Sequence, residues 1–165
     1  MTSSFEMETN HKISILVVED NLDHIELMVK ALQKSSRACE IKIARDGQEA
    51  LEILGLQGKG EKTTKKYIPQ LIMLDIRLPK LDGEEVLRKI RNDPRLKLVP
   101  VVVLTTSARD DEVKRMYELG ANSYIVKPSQ FEEFLERIQH IETYWGTINV
   151  SPTKSVSFKE EQDES

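Results

Sequence analysis

Two spacings of apolar residues alternate along the chain. Short, nearly continuous apolar runs, "ISILVVED", "CEIKIA", "LIMLD", "PVVVLTTS" and "NSYIVKP", read as five strands. Between them, apolar residues recur every three or four positions, as on one face of a helix. Leu22, Ile25, Met28 or Val29, and Leu32 predict a helix in "LDHIELMVKAL". A second helix is predicted in "DGQEALEIL", with Asp46 and Glu49 as a capping box, and a third in "DGEEVLRKIRND", capped by Asp82 and Glu85. Asp46-Gly47 and Asp82-Gly83 are read as helix starts, not as chemistry. The fourth, "DDEVKRMYELG", stops at Gly120. The fifth, "SQFEEFLERIQHIETYW", has Ser129 and Glu132 as its capping box and an apolar face of Phe131, Phe134, Leu135, Ile138, Ile141 and Trp145.

Five strand–helix units with short connections predict an α/β fold with a doubly wound, five-stranded parallel sheet. The expected topology is flavodoxin-like, (βα)5, with strand order 2-1-3-4-5. Ligands of such sheets bind beyond the carboxyl ends of the strands. That rule explains why "LIMLDIRLPKLDG" runs four apolar residues straight into Asp75: the acid sits at the lip of the sheet, outside the core. Strand one likewise ends in Glu19-Asp20, strand four in Thr105 and strand five in Lys127. Strands one, three and four are neighbours in this order, so three carboxylates and a hydroxyl converge on one edge. Carboxylates that close repel one another unless a cation intervenes. Lys127 supplies one positive charge, and a divalent metal supplies more. An all-oxygen ligand set with room for water suits Mg²⁺.

Composition narrows the function classes. The 165 residues suffice for one domain with a real core. A net charge of -4 argues against a general nucleic-acid binder. The lone cysteine, Cys39, allows no internal disulfide and is placed at the start of strand two. The N-terminus lacks a signal-peptide core, and no apolar run approaches the roughly 20 residues that cross a bilayer. A cytoplasmic protein without membrane association is the expectation.

The acid pair in "VVED", the "LIMLDIRLPKLDG" strand and the ends of "VVVLTTSA" and "YIVKP" fall in order, each at a strand terminus. This set resembles the receiver domain of two-component response regulators, over roughly Ser14 to Trp145. The long loop before strand three and the terminal "ETYW" resemble, more narrowly, the single-domain regulators that partner cyanobacterial phytochromes. The resemblance implies a flexible N-terminus over 1–11, a receiver domain over 12–146 and a disordered tail over 147–165. It implies Asp75 as phosphoacceptor, Asp20 and Asp75 as Mg²⁺ ligands, Glu19 as an acid reaching the metal through water, and the Arg77 carbonyl as a further ligand. Lys127 matches the lysine that pairs with phosphoryl oxygens, Thr105 the switch hydroxyl and Tyr124 the switch aromatic. Pro128 matches a proline whose preceding peptide bond is usually cis. The implied donor is a histidine kinase, a phytochrome on the narrower resemblance. No second core follows Trp145, so no fused DNA-binding domain is expected and output passes through protein contact.

Departures and rivals follow from the same residues. Thr106 stands where alanine or glycine is usual, and Arg77 and Ser107 flank the phosphoryl site, where residues tune phosphoryl lifetime. An aspartate-nucleophile phosphatase of the haloacid dehalogenase type needs a second aspartate where this chain has Arg77. A degenerate receiver loses acids or the lysine, and this chain keeps them. A flavodoxin needs a phosphate-cradling glycine loop after strand one, which is missing. His11, His24 and His140 show no metal-ligand spacing. The basic segment Lys59–Lys66 reads as a solvated loop, with partner docking as the alternative. Tyr144 and Trp145 extend the last apolar stripe, so either a homodimer contact or packing on the same domain is expected.

Overall fold

The computed structural model describes residues 12–35, 38–56 and 67–152. The expected N-terminal arm, the Lys59–Lys66 loop and most of the tail lie outside them. Residues 147–152 are described, and Ser151 is buried.

Five strands, β1 (Ile13–Val18), β2 (Cys39–Ala44), β3 (Leu71–Leu74), β4 (Val101–Thr105) and β5 (Ser123–Val126), form one sheet in the order β2-β1-β3-β4-β5. All pairings are parallel, with Val18 opposite both Ala44 and Leu74, and Thr105 opposite Val126. Five helices alternate with them: α1 (Leu22–Gln33), α2 (Gly47–Leu54), α3 (Gly83–Asn92), α4 (Asp110–Glu118) and α5 (Phe131–Glu142). This is the predicted order. The period-two alternation of each strand sorts its side chains into two cores. Leu16, Val18, Ile72, Leu74, Val101 and Val103 face α2, α3 and α4. Ile15, Val17, Leu71, Met73, Val102 and Leu104 face α1 and α5. Strands covered on both faces need no polar side, which is why β3 reads as an unbroken apolar run.

Helix starts follow their caps. The Asp46 carboxylate accepts from the Glu49 amide at 2.8 Å, but Glu49 reaches back to the amide of Arg45 (2.9 Å) instead of Asp46. Asp82 accepts from the Glu85 amide at 3.1 Å. Gly83 follows it because a Cβ there would lie 2.2 Å from the Asp75 carbonyl oxygen. Gly120, at φ 104°, ends α4 in the left-handed region, as its placement predicts.

Three expectations are corrected. The Ser129–Glu132 box does not form: Gln130 is the cap residue of α5, without a side-chain cap bond, so Ser129 lies one residue too early to reach the third amide. Leu22 and Phe131 are exposed. Each is the first residue of its helix, three positions short of the buried Ile25 and Phe134. The peptide before Pro128 is trans, since the described residues contain no cis bond. Trans is the favoured isomer even before proline, by about 0.5–1 kcal/mol. Beyond α5 the chain continues as a π-helical segment, Thr143–Ile148, where Trp145 packs on the core facing α1 and α5.

Candidate functional site

Glu19, Asp75 and Lys127 each stand just past the carboxyl end of a strand, Thr105 is the last residue of β4, and Tyr124 lies within β5. Backbone bonds extend the ladders by one residue there: the Glu19 amide donates to the Ala44 carbonyl (3.0 Å), Asp75 to Val18 (3.0 Å) and Lys127 to Thr105 (2.7 Å). The strand alternation carries on through these positions. Glu19, Asp75 and Lys127 follow Val17, Met73 and Ile125 by two residues and share their α1/α5 parity. Thr105 follows Val103 and shares the parity of the other core, as does Tyr124.

The three acids converge. Glu19, Asp20 and Asp75 each place a carboxylate oxygen within 4.8 Å of the other two. Glu19 and Asp75 are 1% and 8% exposed, whereas Asp20 opens to solvent. Lys127, 7% exposed, answers this charge. Its ammonium donates to Asp75 Oδ2 at 2.8 Å and forms a short charged bond to Glu19 Oε2. The other Asp75 oxygen, Oδ1, accepts from the Arg77 amide at 3.2 Å, so both carboxylate oxygens are oriented. One ammonium against three acids leaves a net negative, hard-oxygen cluster open at Asp20, which fits a divalent cation such as Mg²⁺. The electrostatic strain shows at Glu19. Burial first, and the Asp75 charge second, push its pKa from 4.5 to about 7, against the opposing pull of Lys127.

The hydroxyl and the aromatic both meet the loop after β4. Thr105 is buried, and its Oγ1 accepts a long bond, 3.4 Å, from the Ser107 amide. The Tyr124 hydroxyl donates to the Ser107 carbonyl at 2.9 Å, tying the ring to the loop after β4. Ser107 in turn donates a short bond to Glu112 of α4, whose other oxygen lies 3.5 Å from the Arg77 guanidinium. Arg77 therefore points its cation at α4.

One residue that the sequence did not single out belongs here. His24, in the first turn of α1, places Nδ1 3.1 Å from Lys127 Nζ. Burial, then Lys127, hold its pKa below the ordinary value. The signal was its place four residues after Asp20, in a helix that starts at the mouth. His140 sits by contrast beside a cleft with Tyr124, Arg137, Tyr144 and Trp145, away from the acids.

Residues 15–139 match the response regulator receiver domain family. The chain is 40% identical over 146 residues, 88% of its length and 92% of the relative's, to a probable methanogenesis regulatory protein, FilR2, of Methanothrix harundinacea. It is 41% identical to the response regulator Rcp1 of Synechocystis, covering 84% of this chain and 92% of that one. The Mn²⁺-bound form of Rcp1 superposes with a TM-score of 0.77, over 85% and 99% of the two chains at 39% identity. The phosphorylated cyanobacterial phytochrome response regulator RcpA superposes with a TM-score of 0.79, over 86% and 99% at 38% identity. Strand order, the acid cluster and these similarities lead to one conclusion: the chain belongs to the receiver domain family of two-component response regulators.

Proposed function

We propose that the chain is a cytoplasmic phosphoacceptor: Asp75 takes a phosphoryl group from the phosphohistidine of a sensor histidine kinase, of phytochrome type, in a Mg²⁺-dependent reaction. The observation that carries this reading is the Asp75 carboxylate itself, oriented at both oxygens beside two further acids and a buried ammonium. An Asp75 oxygen attacks phosphorus, the P–N bond breaks, and its electron pair stays on the departing imidazole nitrogen. Glu19, Asp20, Asp75 and the Arg77 carbonyl would hold the cation, which supplies charge neutralisation for the phosphoryl oxygens when bound. The Mn²⁺-bound form of Rcp1, a similar chain, supports divalent-cation binding. Lys127 balances the charge from the opposite side.

The new phosphoryl oxygens give Thr105 an acceptor, and its movement makes room for the Tyr124 ring. That shift breaks the tie between Tyr124 and Ser107 and alters the surface formed by α4, β5 and α5. The signal then passes by protein contact. Tyr144 and Trp145, in the π-helical segment after α5, supply a homodimer contact on the same side. They meet edge to face at 5.0 Å, with Tyr144 49% exposed.

Incubating the chain with acetyl phosphate and Mg²⁺ tests the reading. The expected product is an acid-stable, base-labile phosphoprotein that is lost in Asp75→Asn and lost on chelation of the metal. Labelling of Asp75→Asn equal to the parent, or steady turnover of the donor without a labelled protein, overturns it.

A further inference from the structure

Lys127 is the only buried lysine among the described residues, and its surroundings account for every proton it carries. An ammonium has three N–H donors. Glu19 Oε2, Asp75 Oδ2 and His24 Nδ1 stand around Nζ as three acceptors. Two of them are the carboxylates that the phosphoacceptor chemistry needs for other purposes. We propose that His24 is a positioning residue for that chemistry, the neutral acceptor that keeps the Lys127 ammonium at the mouth of the site while Glu19 and Asp75 are given over to cation and phosphoryl group. The inference rests on the phosphoacceptor reading of Asp75.

The geometry of the imidazole carries this role. Nδ1 lies 3.1 Å from Lys127 Nζ but 3.8 Å from Glu19 Oε1, so the nitrogen is directed at the lysine and not at the acid. A proton on Nδ1 would point at an ammonium, so the nitrogen facing Lys127 is an acceptor and the ring proton sits on Nε2. The ring is held from two elements. The His24 amide donates to the Asn21 cap at 3.2 Å, fixing the first turn of α1. The ring packs against Phe134 of α5, centroids 5.7 Å apart at 40°. A buried ammonium that loses its partners is left without compensation for its lost hydration. An uncharged nitrogen offers compensation without competing for the metal or repelling phosphoryl oxygens.

Two His24 substitutions, with ¹⁵N spectra of the parent and of Lys127→Met, test the proposal. His24→Leu keeps the bulk and removes the acceptor, whereas His24→Asn keeps an amide oxygen able to accept. With acetyl phosphate and Mg²⁺, His24→Leu labels Asp75 about tenfold or more slowly than the parent, and His24→Asn stays within about threefold. Calorimetric Mg²⁺ affinity changes less than about threefold in both, separating lysine placement from metal binding. In the parent without Mg²⁺, ¹⁵N spectra show the Nε2–H tautomer of His24, and its Nδ1 resonance moves in Lys127→Met. An Nδ1–H tautomer, an Nδ1 resonance indifferent to Lys127→Met, unchanged labelling in His24→Leu, or equal slowing in the two His24 variants overturns the role. A parent chain that accepts no phosphoryl group at all removes the phosphoacceptor reading and the role with it. That failure is told apart from failure of His24 alone, in which the parent labels normally.

Discussion

Glu19 is pulled in opposite directions by burial and by its ammonium partner, and the pull of burial wins. Between its ordinary pKa of 4.5 and the folded value of about 7, the folded chain keeps a proton that the unfolded chain has released. Stability from this group is therefore present at low pH and is lost as pH rises through that window. In a chelator, the urea midpoint is expected to fall as pH rises from 4.5 to about 7, and to fall less in Glu19→Gln. Saturating Mg²⁺ is expected to flatten the decline, because the proposed cation would bind the ionised form. A parent and a Glu19→Gln variant with the same pH slope would contradict this account. Single residues were legible where chemistry and strand end coincide. Asp75 and Lys127 each close an apolar run, so the pattern alone places them. His24 was not legible, because its approach to Lys127 depends on how the first turn of α1 is rotated about its axis, and a lone histidine carries no periodic signal.

Elements are stitched together at the opposite end of the sheet by Arg91. From α3 its guanidinium donates to the Gly120 carbonyl (2.9 Å), the Val99 carbonyl (2.8 Å), the Lys97 carbonyl (3.2 Å) and Asn122 Oδ1 (2.8 Å). Asn122 also accepts from the Val101 amide at 2.8 Å, so one side chain closes the loops before β4 and β5. A lysine has no planar fork to span four acceptors. Arg91→Lys is expected to cost about 1–3 kcal/mol, read from urea unfolding with an unchanged slope. At this scale strands and helices were legible because their periods differ. The cap of α5 was not, because a one-residue shift in helix start defeats a capping box. Neither was the π-helical segment: the spacing of Ile138, Ile141 and Trp145 reads equally as a continued α-helix.

The molecule as a whole is a sheet with two separate cores, and its proposed behaviour follows from that division. Thr105→Ala is expected to label at Asp75 at close to the parent's rate but to leave the Tyr124 resonances unmoved on phosphorylation. A labelling defect as deep as that of Asp75→Asn would merge the two roles proposed here. Trp145 packs on its own core, so Tyr144 is the better probe of self-association. Tyr144→Ala is expected to sediment closer to monomer mass than the parent at an unchanged melting temperature, and identical masses would remove the dimer contact. Topology was legible from the order of elements because parallel strands with right-handed crossovers leave few arrangements. Which surface meets a partner was not, because one apolar stripe serves a neighbouring helix or a neighbouring molecule equally well.

The parity of the strand ends has a practical consequence. The proposed nucleophile and its ammonium partner share the parity of one core, and the hydroxyl and tyrosine proposed to respond share that of the other. No lever or long relay has to join them, since the Lys127 amide already donates to the Thr105 carbonyl at 2.7 Å. On the proposed reading, a binder that clamped α1 would throttle the reaction, whereas one that clamped α4 would let the bond form and silence its message.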